Sequence, residues 1–396
     1  MNDSSPPLRI GFLSSRDPGD RRAWSGVMHY LARTLSAHCG EVIALGPVES
    51  ARRKRLRAWG KRFRPVLGKR YDAGHSILVS MEYARLFASK LSRNPVDVIF
   101  APSASTEIAF LRTDIPIVYF SDATFAALWG YYDDFADLLG VSRFEGNLVE
   151  RRAIQRSARI IYTSEWAKAS AIQDYAADAS KIEVVPFGAN LESPPDRGSL
   201  STRSRADHLR LLFIGVDWQR KGGPIAVEAF QVLQAQGIRV SLTIVGCRPP
   251  GVTETADLKI IPFLDNNDPL QARRIADLYL SADMLIVPTR ADCAGIVFCE
   301  AAAYGLPAIT THTGGVPSVV ENEVTGVMLA PEARGKDYAE AIASLWHDER
   351  RLAAMASASR NAFETRLNWD AWGISAARVI RSAWSERLSG KAVTTR

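Results

Sequence analysis

Twelve short runs of near-continuous apolar, largely β-branched residues recur along this chain, and each is followed by a segment with helical spacing. In the first half the runs are LRIGFLSS (8–15), EVIALG (41–46), VDVIFAPS (96–103), PIVYFSDA (116–123), RIIYTS (159–164) and IEVVPFG (182–188). Continuous hydrophobicity over so few residues fits strands buried on both faces, as in a parallel sheet covered by helices. Val27, Tyr30, Leu31, Thr34 and Leu35 show the intervening helical spacing after the turn at Ser25-Gly26. The alternation predicts a doubly wound α/β fold.

The pattern stops at LESPPDRGSLSTRSRADH (191–208), where Pro, Ser, Arg and Asp replace apolar periodicity, and it reads as a linker. It restarts with LRLLFIGV (209–216), SLTIVG (241–246), LKIIPFL (258–264), DMLIVPT (283–289), PAITTH (307–312) and GVMLA (326–330). Helical patterns follow at 337–347, 349–365 and from about Trp369 to Leu388. A chain of 396 residues suits two domains of about 200 each. The boundaries expected are 1–190, a linker at 191–208, a second domain at 209–366 and a terminal segment at 367–396. Two such domains make a cleft, with ligands expected at the carboxyl ends of the strands.

Composition narrows the class. With 47% hydrophobic and 23% charged residues the chain reads as a globular protein, which argues against disorder and against a spanning chain. No apolar run approaches the ~20 residues of a transmembrane helix, and the N-terminus lacks a signal-peptide pattern. Cys39, Cys247, Cys293 and Cys299 are scattered without a CxxC pair, so neither a disulfide framework nor a zinc site is expected, and no metal. Small buried thiols in a reducing cytoplasm fit best.

The net charge of +6 is an uneven average. Residues 51–70 carry ten Lys and Arg and no acid, leaving −4 for the rest of the chain. Leu56, Trp59, Phe63, Val66 and Leu67 interleave with those cations. The segment reads as one that docks on the inner face of an anionic membrane or attracts an acidic acceptor, with a solvated loop as the alternative. No nucleic-acid reading motif accompanies it.

The chemistry concentrates in RADCAGIVFCEAAAYGLPAITTHTGGVPSVVENEVTGVML (290–329). Asp292 and Glu300 flank Gly295 just before a helix. Backbone N–H groups of Gly295, Ile296 and Val297 at that helix start can receive anions or electron-rich hydroxyl groups. Glu300 can accept two hydrogen bonds from a vicinal diol such as a ribose, while Asp292 would face the group beyond it. Helix capping by Glu300 and a solvated turn at Asp292 are the plainer readings.

This stretch resembles glycosyltransferase family 4, retaining enzymes of the GT-B fold. The motif of an acidic residue, seven residues, a Glu, a small-residue helix, G-x-P and a Gly-Gly turn is matched by Asp292, Glu300, Gly305, Pro307, Gly314 and Gly315. The resemblance implies that Glu300 binds ribose hydroxyls and Asp292 the donor sugar, although the family usually has Glu where Asp292 stands. A second match is FIGVDWQRKGGPIAVEAF (213–230), where Gly215 ends a strand and Lys221 falls on the family's phosphate-binding Lys. Arg220 supplies a second charge there, since Val216 stands where many relatives have Arg. In the loop 15–35, Gly26 corresponds to a glycine that touches donor phosphates from the opposite domain. At YFSDATF (119–125), Ser121 and Asp122 replace a His frequent in the family. Asp122 becomes the candidate for contacting the reacting sugar or acceptor, with capping of the next helix as its alternative. Residues 162–190, ending at Asn190, resemble the family's approach to its hinge, and the helix near 368–384 one that returns to the N-terminal domain.

The resemblance implies sugar transfer from a UDP-, GDP- or ADP-sugar to an acceptor hydroxyl with retained anomeric configuration. No metal cofactor is implied. A glycan or glycolipid acceptor and a cytoplasmic site, free or peripheral on the inner membrane face, are the corresponding expectations. Nucleotide-sugar epimerase, sugar phosphorylase and catalytically silent nucleotide-sugar binder are the alternatives.

Overall fold

The computed structural model describes residues 7–201 and 207–394. The chain divides into two compact units, one formed by residues up to Val185 together with those from Trp369 onward, the other by Pro186–Asn368.

The first unit contains β1 (Leu8–Phe12), α1 (Val27–His38), β2 (Gly40–Ala44), α2 (Ala51–Leu67), α3 (Ile77–Arg93), β3 (Val98–Pro102), β4 (Ile117–Ser121), α4 (Gly140–Arg156), β5 (Arg159–Tyr162), α5 (Glu165–Tyr175) and β6 (Ile182–Val184). Its strands pair in parallel in the order β2-β1-β3-β4-β5-β6. Every residue of β3 and β4 is buried, which is why those strands read as unbroken apolar runs.

The second unit contains β7 (Leu209–Ile214), α6 (Gly223–Ala235), β8 (Val240–Val245), β9 (Leu258–Ile261), α7 (Pro269–Ser281), β10 (Met284–Val287), α8 (Ile296–Ala303), β11 (Ala308–Thr311), β12 (Gly326–Leu329), α9 (Gly335–His347) and α10 (Glu349–Thr365). Its parallel order is β12-β11-β10-β7-β8-β9, with β10 and β11 wholly buried. Strand order reverses at the β7/β10 pair, and the carboxyl ends of such a pair are where open α/β sheets bind ligands.

The last helix, α11 (Trp369–Thr394), runs beyond the expected Leu388 and packs within the first unit against α1 and β3–β5. Trp369 stacks on Tyr30 (5.6 Å between ring centroids, 7° between planes), and Trp372 is fully buried edge-on to Phe100 and Phe120.

Three sequence expectations are revised. Residues 186–190, read as the end of the first domain, belong to the second unit. Buried Phe187 and Ala189 hold them there: the Cys299 thiol donates to the Phe187 carbonyl (3.4 Å) and Ala189 N–H donates to the Leu367 carbonyl (3.0 Å). The stretch 191–208 contains a helical turn, Arg197–Ser201, anchored by an Arg197–Glu364 ion pair, while its residues 202–206 lie outside the described residues. The basic stretch is no loop. The hydroxyl of Ser50 accepts from Arg53 N–H (2.9 Å) to start α2, straight-chain Arg and Lys favour continuation, and Gly68 ends it at φ 65°. None of the four cysteines, all among the described residues, is in a disulfide; Cys247 is only half-buried, unlike the other three.

Candidate active site

At the carboxyl end of β7 the chain passes through Gly215 and turns at 217–222 into α6. Lys221 folds its stem back over Gly215, where a Cβ would lie 2.9 Å from the lysine Cγ, so a side chain at 215 would displace it. Gly222 is required by its conformation as well as by space. It has φ 74°, and an added Cβ would fall 1.9 Å from the Pro288 carbonyl oxygen of the neighbouring loop. Contact this close brings the turn after β7 against the loop after β10. Arg290 N–H donates to the Arg220 carbonyl (2.6 Å), and the Arg220 guanidinium donates to the Ala291 carbonyl (2.8 Å).

Across this junction Lys221 Nζ sits 2.5 Å from Asp292 Oδ2, both side chains largely buried. The other carboxylate oxygen of Asp292 accepts from Gly295 N–H (3.0 Å), and its carbonyl accepts from Gly315 N–H (2.9 Å), beside Gly314 in the loop after β11. Asp292 is therefore no solvated turn residue: it ties three loops together. Gly295, with φ 65°, precedes α8, leaving the first N–H groups of the helix, at Ile296 and Val297, without a side-chain cap.

Glu300 is the fifth residue of α8 and caps nothing. Its Oε2 accepts from the buried Tyr279 hydroxyl (3.0 Å) of α7, and Tyr279 is stacked on Tyr304 (4.9 Å, 8°). Burial pushes the Glu300 carboxyl up to about 7, against the opposing pull of Tyr279 and of the Lys221 charge. The sequence reading missed Tyr279, because a tyrosine at helical spacing looks like any core residue. Arg220, read as supplying a second charge, has its guanidinium engaged with Ala291 and with Asp217 (3.4 Å). Val216, by contrast, is exposed.

In the first unit, Asp122 follows β4 and accepts from the Trp24 indole N–H (3.3 Å). It does not cap the next helical turn, Phe125–Leu128; Thr124 does, accepting from Ala127 N–H (3.1 Å). Trp24 and Ser25 are both left-handed (φ 51° and 54°) and lead into Gly26 at the start of α1, a concentration of backbone strain beside Asp122.

Asp122 lines a cavity of about 630 Å³ that contains a cluster the sequence reading did not single out. His75 Nδ1 lies 2.7 Å from Asp72 Oδ2, and Glu150 accepts from the Tyr119 hydroxyl (3.1 Å). Burial lowers the His75 imidazole, but Asp72, Glu150 and Glu107 more than offset this and hold it above its ordinary value. Burial pushes Glu150 up to about 7, despite the nearby His75 charge. The 71–77 loop is pinned to α4, where Glu145 accepts from Tyr71 hydroxyl (3.0 Å) and Ile77 N–H (3.1 Å), and Ser142 from Asp72 N–H (2.9 Å). The one signal available in the sequence was the D-A-G-H spacing just before a helix.

Comparison with known proteins finds glycosyltransferases. Residues 26–193 match the family described as Glycosyltransferase Family 4, and residues 208–348 the family described as Glycosyl transferases group 1. The D-inositol 3-phosphate glycosyltransferase of Xylanimonas cellulosilytica is 28% identical over 238 residues, covering 56% of each chain. The chain thus spans about half the length of the curated relatives it matches. Sucrose-phosphate synthase from Thermosynechococcus elongatus shares the fold at a TM-score of 0.66 and 17% identity, covering 96% of this chain and 100% of that one. Anabaena HepE, solved in complex with UDP and glucose, does so at 0.59 and 16%, covering 95% and 100%. Two glycosyltransferase family models thus match successive parts of the chain, and its two parallel six-stranded sheets are those of the GT-B fold.

Proposed function

We propose that this protein transfers a sugar from a nucleoside-diphosphate sugar to an acceptor hydroxyl with retention of anomeric configuration. The observation that carries the reading is the Lys221–Asp292 pair beside Glu300 and the uncapped start of α8, all at the strand-order reversal of the second unit. The reading is supported by the UDP and glucose found in HepE and by the activity named for the inositol-phosphate relatives.

In this mechanism the ribose diol donates to Glu300, and the diphosphate lies at the α8 N–H groups. Lys221 exchanges its Asp292 partner for a diphosphate oxygen, so its charge is in place as the leaving group becomes negative. Asp292, released from the lysine, accepts from a hydroxyl of the donor sugar. Arg220 acts by bracing the 289–291 loop. The bond from the anomeric carbon to the diphosphate oxygen breaks as the acceptor oxygen bonds to the same face, and the acceptor proton passes to the departing phosphate. Positioning and charge stabilisation then supply most of the acceleration.

Thermal-shift titration of the wild type and Glu300→Ala with UDP, GDP, ADP and their sugars tests the donor site. A nucleotide-specific rise in Tm that Glu300→Ala abolishes is expected. No rise with any of them removes the assignment. A peripheral role at an anionic membrane belongs to the same reading, supported by the exposed Trp59 and Phe63 among the cations of α2; among the described residues no helix is long and apolar enough to cross a membrane.

A further inference from the structure

Core packing asks for a ring at position 279 and leaves the hydroxyl on it unexplained. Tyr279 is the buried side chain of α7, fully removed from solvent, and it meets α8 at two points. Its ring stacks on Tyr304 (4.9 Å, 8°), which ends that helix, and its O–H donates to Glu300 Oε2 (3.0 Å) one turn earlier on the same face. A phenylalanine would keep the stack. A buried hydroxyl costs free energy unless it is bonded, so its bond to the carboxylate, and not the filling of space, accounts for a tyrosine here.

That bond commits one carboxylate oxygen of Glu300. Among the described residues the other, Oε1, makes no hydrogen bond within the chain. Lys221 acts on Glu300 through its charge alone, since its Nζ is paired with Asp292. The other titratable neighbours are Cys299 and Tyr304, with Arg366 acting on the thiol and Asp277 on the phenol. Burial, reinforced by the Glu300 charge, holds the Tyr279 hydroxyl and the Cys299 thiol well above their ordinary values and pushes Tyr304 up to about 12. These three groups therefore keep their protons at neutral pH, and Tyr279 stays a donor.

We infer that Tyr279 is a positioning residue of the donor site, whose O–H holds the Glu300 carboxylate in one orientation and leaves Oε1 open to the hydroxyl groups of the ligand. The inference rests on the nucleotide-sugar reading above and adds to it what prepares Glu300 before the ligand arrives. A donor bonds an ionised carboxylate more strongly than a protonated one, so Tyr279 works against burial and keeps more of Glu300 ionised near neutrality. Removing the hydroxyl raises the carboxyl further. The pH above which the ligand-accepting form predominates then moves up.

Calorimetric titration at pH 5.5–8.5 with UDP-, GDP- and ADP-glucose, on the wild type, Tyr279→Phe, Glu300→Gln and the double variant, tests this role. For the nucleotide sugar that the wild type binds, Tyr279→Phe is expected to move the rise in affinity about one unit to higher pH. That makes it about tenfold weaker than wild type at pH 6 and only about threefold weaker at pH 8.5. In the Glu300→Gln background the same substitution should produce no pH-dependent difference. Placing 3-fluorotyrosine at position 279, a stronger donor of nearly the same size, should move the rise to lower pH, and this reading does not depend on the folding of Tyr279→Phe. Equal weakening by Tyr279→Phe at every pH would reduce Tyr279 to a packing role. An unmoved profile in both variants, or a shift that persists with Glu300→Gln, would also overturn the inference. Wild-type binding with any of these outcomes leaves the donor-site assignment standing, whereas no wild-type binding of any nucleotide sugar overturns that assignment and this inference with it.

Discussion

In the proposed donor site Glu300 has to be buried beside a ribose and ionised to accept from both its hydroxyls, and the two demands oppose each other. Burial moves its carboxyl from 4.5 to about 7, so a protonated fraction persists near neutrality. The native state then holds more protons than the unfolded chain between those values, and this group lowers stability as pH rises across that window. Binding of a diol favours the ionised form, so nucleotide-sugar affinity should rise with pH, by about tenfold per unit below pH 7, and level off above it. Titration at pH 5.5–8.5 with a nucleotide sugar, whose phosphates do not titrate there, is the measurement. Glu300→Gln should bind more weakly and show a flat profile; a sloping profile in that variant would assign the pH dependence elsewhere. Lys221 is the second residue on which the proposed chemistry depends. Lys221→Ala should reduce kcat by about 10²–10³-fold with little change in KM if the charge acts mainly on the leaving group.

At the scale of elements, contacts without side chains set how closely segments approach. Gly373 of α11 faces α1, where a Cβ would fall 2.4 Å from the His38 ring and 2.6 Å from the Thr34 methyl. Gly373→Leu should therefore push the two helices apart, costing about 1–3 kcal/mol, read as a lower Tm for the first unit with nucleotide binding by the second retained. Much of this level was legible beforehand. The twelve runs correspond to the twelve strands among the described residues because burial on both faces of a parallel sheet forces continuous hydrophobicity. The helical state of 51–67 was only partly legible, in the i, i+3, i+7 spacing of Leu56, Trp59 and Phe63, because the dense cations also fit a solvated loop and the N-cap at Ser50 lies outside the run.

For the whole molecule, the last helix breaks the correspondence between chain order and structural unit. Trp369 and Trp372 follow the second unit in sequence but complete the core of the first, where Trp372 meets Phe100 and Phe120. Deleting residues from 369 onward should therefore destabilise the first unit more than the second. Hydrogen exchange would report lost protection in β3, β4 and β5 while β7, β10 and β11 stay protected; the opposite pattern would contradict this packing.

The sequence by itself determined two parallel α/β units, the strand ends that carry Lys221, Asp292 and Glu300, and the family to which they point, because periodicity and short motifs are local properties. Tertiary structure alone decided that Lys221 pairs with Asp292, that Arg220 is spent on a neighbouring loop, and that Tyr279 holds Glu300. It alone brought Arg53, Glu107, Asp72, His75 and Glu150 around one cavity. These residues are separated by up to about a hundred positions, and no local pattern records which loops a sheet of order β2-β1-β3-β4-β5-β6 will bring to the same end.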